Sequence, residues 1–132
     1  MDPAQLNWLA VITATLAGFF IGGLWYGPLF GKEWMALIGR TEEEARKANM
    51  ARVYGTTIVL NFIAATSLAM LIGTAGWRAG LFYGFLAGFT FVAMAFGVTY
   101  LFESKPLKLW CINAGYQVVF FSAMGAILGG WH

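Results

Sequence analysis

Charge is scarce in this sequence. Only 11% of its 132 residues are Asp, Glu, Lys or Arg, against about 25% in an ordinary soluble domain. Cysteine and histidine occur once each. A lone Cys111 excludes an intrachain disulfide and a cysteine-based metal site, and reads as a small buried hydrophobe. A lone His132, the last residue, reads as part of a frayed tail. The acids are Asp2, Glu33, Glu42, Glu43, Glu44 and Glu103, and none stands inside an apolar run beside a second acid or a histidine. Acid–base chemistry therefore has no constellation to work with. No spacing suggests a metal site, and no glycine-rich loop follows a strand to cradle phosphate. The expectation is a non-enzymatic protein with no catalytic residue, metal or cofactor. Nucleic acid is not an expected partner either. The net charge is only +2, and the basic residues are thinly spread beside apolar stretches instead of forming a phosphate-binding face.

What the chain does have is apolar length. Hydrophobic residues make up 60% of it, and mean hydropathy is +0.71. A chain this short cannot hide so much apolar surface in a water-soluble core. Four uncharged runs stand out, at about residues 6–26, 53–72, 79–102 and 109–131. Each is long enough to cross about 30 Å of hydrocarbon at 1.5 Å per helical residue. The 17 glycines suit membrane helices better than soluble ones. The first run has no basic residue before it and ends in bulky side chains, so it reads as a retained span and not a cleaved leader. The predicted fold is all-α, a single integral membrane four-helix transmembrane bundle over residues 1–132.

Aromatic residues mark the ends of these runs as interfacial anchors: Trp8, Trp25, Tyr26, Tyr54, Trp77, Tyr100, Trp110 and Trp131. The first loop carries Lys32, Arg40, Arg46, Lys47 and Arg52, and the third carries Lys105 and Lys108. The second carries only Arg78. The positive-inside rule then places the first and third loops in the cytoplasm and both termini outside. Within the first loop, Pro28 and Gly31 break the chain. An apolar-rich stretch around Phe30, Trp34, Leu37 and Ile38 predicts a short cytoplasmic interfacial helix, capped by Gly39. Thr41 and Glu44 form a capping-box pattern. Glu42 with Arg46 and Glu43 with Lys47 are i,i+4 pairs on a helix expected to run directly into the second span. Glu103 is expected to pair at the surface with Lys105 or Lys108.

Inside the spans small residues recur every fourth position, most plainly Gly80, Gly84 and Gly88 in the third and Gly125 and Gly129 in the fourth. Lipid does not drive helices together as water does, so association relies on close backbone approach, which small residues permit. These stripes serve helix packing within the chain or an oligomer interface. Four helices enclose little interior, which favours a homo-oligomer. Asn61, Asn113 and Gln117 are the amides at membrane depth. They form either a polar path or interhelical hydrogen bonds between the second and fourth spans.

Residues 22–35 read Gly22-Gly23-Leu24-Trp25-Tyr26-Gly27-Pro28-Leu29-Phe30-Gly31-Lys32-Glu33-Trp34-Met35. This segment resembles the hallmark of the domain of unknown function 1761 family, small membrane proteins of bacteria and fungi. Length and four-span layout are similar as well. The resemblance implies no assigned reaction. It does single out Trp25, Tyr26, Pro28, Gly31, Lys32 and Trp34, a segment that helix ending, chain break and surface anchoring also explain.

The leading expectation is an oligomer-forming accessory or scaffold subunit of the bacterial inner (plasma) membrane, in contact with membrane lipids and with copies of itself or another membrane protein. The alternative is a small transporter or channel for a neutral or apolar solute using Asn61, Asn113 and Gln117. A lipid-acting membrane enzyme is a third, weaker reading.

Overall fold

The computed structural model describes residues 3–47 and 49–131, with all their side chains except those of Pro3, Glu42 and Ala45. His132 and the Glu42–Arg46 pair lie outside what is described. All regular structure among the described residues is helical. Four helical stretches are long and apolar enough to cross a membrane: Trp8–Leu29, Met50–Ile72, Trp77–Phe102 and Leu107–Gly130.

Their limits sit a few residues from the apolar runs because capping groups decide where helices start. After a short 3-10 turn at Pro3–Gln5, helix α1 (Trp8–Leu24) begins at Asn7. The Asn7 side chain accepts from the Leu9 and Ala10 amides at 3.1 and 3.3 Å, which satisfies two otherwise orphaned donors. Helix α2 (Gly31–Ile38) ends at Gly39, whose φ of 71° is left-handed. The Arg40 amide then donates back to the Met35 carbonyl at 2.9 Å, as a left-handed C-terminal cap allows. In α3 (Glu42–Lys47) the Thr41 hydroxyl accepts from the Glu44 amide at 3.1 Å, and Glu43 pairs with Lys47 at 3.4 Å.

The expectation that α3 continues into the second span is not met. Asn49 is extended, with φ −75° and ψ 90°, and its side chain accepts from the Arg52 amide at 3.2 Å. A capping asparagine starts a new helix, α4 (Met50–Ile72). The third span is α5 (Trp77–Leu86), a wider π-helical stretch (Ala87–Ala93) and α6 (Met94–Phe102). The fourth is α7 (Leu107–Gly130).

Helix α7 is the axis of the bundle and packs on α1, α4 and the third span. Against the third span the contact is backbone on backbone. A methyl group at Gly80 would fall on the Gly125 carbonyl, one at Gly84 on the Phe121 carbonyl, and one at Gly129 on the Gly76 carbonyl. At Gly88 it would meet the Gln117 carbonyl at 2.9 Å. The five glycines thus face inward, and their stripes are a packing surface within the chain. On its other side α7 sends Phe120, Met124 and Leu128 into a core with Val11 and Ala14 of α1 and Leu68 of α4. Gly18 gives Phe120 room to lie against α1.

The remaining surface is apolar. Between 17% and 33% of each spanning window is buried, and large side chains such as Phe20, Leu71 and Leu101 stand outward at 74%, 79% and 81% exposure. Water would penalise such a surface at roughly 25 cal/mol per Å²; hydrocarbon does not. The architecture is that of a transmembrane helical bundle.

Overpacking the glycine seam tests this arrangement. Gly84→Leu should lower stability by about 2 kcal/mol or more, read as a reduced melting temperature in mild detergent. Gly55→Ala, whose added methyl meets nothing within 4 Å, should be close to neutral.

Candidate functional site

The segment from Trp25 to Trp34 does not end the first span where proline and glycine suggest. In a regular α-helix the Leu24 carbonyl would seek the amide of residue 28. Pro28 has none. The chain answers with a wider π turn, Trp25–Leu29, in which the Phe30 amide donates to the Trp25 carbonyl at 2.8 Å. Pro28 is thereby carried inside the helical stretch, and the break falls at Phe30, with φ −127° and ψ 9°. Gly31 follows, and a methyl there would press on the Tyr26 carbonyl at 2.5 Å. These residues fold α2 back against the π turn and α7.

The turn aims two side chains into the bundle. The Trp25 indole N–H donates to the Ile112 carbonyl of α7 at 2.8 Å. Gly115, whose added methyl would stand 3.2 Å from the indole, leaves space for that ring. The Tyr26 hydroxyl donates to Asn113 Oδ1 at 2.7 Å, and Asn113 Nδ2 donates to the Tyr100 hydroxyl at 2.8 Å. One amide on α7 therefore joins the first, third and fourth spans. Around this chain the rings of Trp34 and Tyr116 lie 5.2 and 5.3 Å from that of Tyr26, both edge-on, a favoured geometry for aromatic pairs. The Tyr116 hydroxyl reaches back to the Gly18 carbonyl at 3.3 Å. Trp110 repeats the pattern on the third span, its indole N–H donating to the Ala93 carbonyl at 2.8 Å. At the rim Lys108 pairs with Glu33 of α2 at 3.4 Å, both well exposed, so the pair adds at most about 1 kcal/mol.

Several sequence-based expectations change here. Trp25, Tyr26, Tyr100 and Trp110 are more than interfacial anchors, since each directs its polar atom to a protein partner. Lys108 reaches Glu33, not Glu103. The expected amide bonds between α4 and α7 do not form. Asn113 bonds tyrosines of the first and third spans instead. Asn61 is buried on α4 with its Nδ2 atom unbonded, and Gln117 lies half-buried one turn below Asn113. No described hydrogen bond links the three amides. Lys32 stays exposed. Tyr116 was not singled out by sequence reasoning, although it stands three residues after Asn113 and so on the same helix side.

A cluster in which the Tyr26, Tyr100 and Tyr116 hydroxyls, the Trp25 indole and the Asn113 amide all have partners across helices is suited to holding helices in place. Tyr26→Phe and Asn113→Leu should each lower stability by about 0.6–2 kcal/mol. The double variant should lose less than the sum, measured by denaturation in mild detergent followed by circular dichroism.

The family model described as "Protein of unknown function (DUF1761)" matches residues 9–129. No curated protein and no solved structure matches the chain.

Proposed function

The chain belongs to the DUF1761 family, and from that premise we propose that it is a non-enzymatic, oligomer-forming accessory or scaffold protein of the bacterial inner membrane. The observation that carries this reading is the two-faced third span. Its glycine face is buried on α7, and the opposite face presents Phe82, Phe85 and Phe89, all exposed, with Phe85 and Phe89 stacked at 5.6 Å and 5°. Rigid aromatic surface is efficient at interfaces because it covers a large area with few rotatable bonds. This is the face assigned to a second copy or to another membrane protein. The polar cluster supports the same reading, since its groups bond across the first, third and fourth spans and hold them together.

The proposal includes orientation. The Lys108–Glu33 contact brings the first and third loops to one end of the bundle, and that end holds Lys32, Arg40, Arg46, Lys47, Arg52, Lys105 and Lys108. It is the cytoplasmic end by the positive-inside rule, which leaves both termini outside. Helix α2 then rests at the membrane surface, with Trp34 and Leu37 half-buried on its inner side.

Native mass spectrometry in mild detergent should show a defined oligomer, and Phe85→Ala with Phe89→Ala should shift it towards monomer without loss of helicity. A strictly monomeric wild-type particle would refute the scaffold reading. For orientation, Cys111→Ala carrying Lys47→Cys should react with a membrane-impermeant maleimide only after the cytoplasmic face is opened. Labelling in intact cells would reverse the assignment.

A further inference from the structure

The first half of α4 has no buried face. From residue 50 to residue 60 every side chain is exposed except that of Thr57, which is half-buried, although about four consecutive residues already encircle a helix. This half touches the bundle through Tyr54, whose ring meets Phe19 edge-on at 5.4 Å. Burial begins at Asn61 and continues through Ala65, Leu68 and Ile72, a stripe at i, i+4, i+7 and i+11. On α7 the corresponding stripe is Gln117, Phe120, Met124 and Leu128. The last three residues of each stripe share one core cluster. Both helices start at the same end of the bundle, and Asn61 and Gln117 lie about 16.5 and about 15 Å from the first residue of their helices. Asn61 and Gln117 therefore stand at one level, where the packed part of the α4–α7 seam begins.

Neither amide is satisfied among the described residues. Asn61 is 9% exposed, and its Nδ2 donor has no partner. The Gln117 side chain makes no hydrogen bond to a described residue. An unbonded amide at membrane depth is costly and marks a place where a partner belongs.

We propose that Asn61 and Gln117 form the polar floor of a site for a neutral, bilayer-dissolved lipid carrying a carbonyl acceptor, which arrives sideways between the open half of α4 and α7. The free Asn61 donor calls for an acceptor oxygen. No ionised residue occurs in the described spans at this depth, so the acceptor belongs to an uncharged molecule. Access from the aqueous end along α7 is closed by Asn113, which Tyr26 and Tyr100 hold. The open half of α4 offers Val53 and Leu60, apolar surface that suits an acyl chain. A groove of about 240 Å³ between α1 and α4, lined by Ile12, Thr15, Leu16, Ile58, Val59 and Phe62, has apolar walls and supplies the contrast: hydrocarbon alone would fill that one. The site does not depend on subunit number and stands or falls apart from the scaffold reading.

The test uses the whole protein in phosphatidylcholine nanodiscs with a diazirine-tagged monoacylglycerol as probe. Labelling should saturate, should be displaced by monoolein and not by octadecene, and should map to peptides containing residues 54–61 and 115–118. Asn61→Leu and Gln117→Leu, judged folded by circular dichroism, should each cut displaceable labelling about five- to tenfold, as loss of one buried hydrogen bond implies. The wild-type contrast between monoolein and octadecene needs no variant, so it decides the matter even if a leucine variant does not fold. Equal displacement by octadecene, labelling confined to residues 12–16, or unchanged labelling in both folded leucine variants would overturn the site.

Discussion

Where Gly80, Gly84, Gly125 and Gly129 meet, one helix backbone rests on another, and the rest of the bundle is arranged around that contact. Two helices in hydrocarbon gain nothing from expelling water, so their affinity comes from van der Waals contact over a close, well-matched surface. Side chains on the facing stripes would hold the third span off α7. With glycine there, the two become a rigid pair, and α7 is free to use its other side for α1 and α4. Phe120, Met124 and Leu128 fill that side. In this half of α7 the division of labour is thus set by residue volume: Gly125 and Gly129 towards the third span, large side chains towards α1 and α4.

The polar cluster builds on this pair. Asn113 can donate to the Tyr100 hydroxyl at 2.8 Å only because the third and fourth spans already lie close. Tyr26 then joins a preformed pair of helices, and the π turn at Pro28 brings it to the right place. Within hydrocarbon each such bond is modest, on the order of 0.6 kcal/mol. Its value lies in direction: a hydroxyl and an amide fix rotation about the helix axis, which van der Waals contact alone leaves loose.

The spans and their glycine stripes were legible in the sequence because each rests on a local property: run length, charge and a spacing of four. The Gly39 and Thr41 caps were legible for the same reason. The break at Asn49 was missed because the i,i+4 pairs before it and the apolar run after it both favour helix, and only the capping geometry separates them. The aromatic residues were legible as to position along the membrane normal but not as to direction. A tryptophan at a span end looks the same in sequence whether its indole faces lipid headgroups or, like Trp25, the Ile112 carbonyl. Asn113 was recognised as polar at depth, yet its partners lie 87 and 13 positions away, and such pairings arise only from the folded topology. Asn61 shows the converse: it was legible as an amide at membrane depth, while its burial and its unbonded donor became visible only in three dimensions.

The π turn at Pro28 has a consequence for the length of the chain around it. One residue more or fewer in a helix turns everything beyond it by about 100°. The stretch between Tyr26, which bonds α7, and Trp34, which returns to pack on Tyr26, therefore tolerates exchange of side chains at its exposed positions far better than a change in residue count. Removing a single residue there would swing α2 and Glu33 to another side of the bundle, away from Lys108. The spacing of this segment is as much a structural element as its tryptophans.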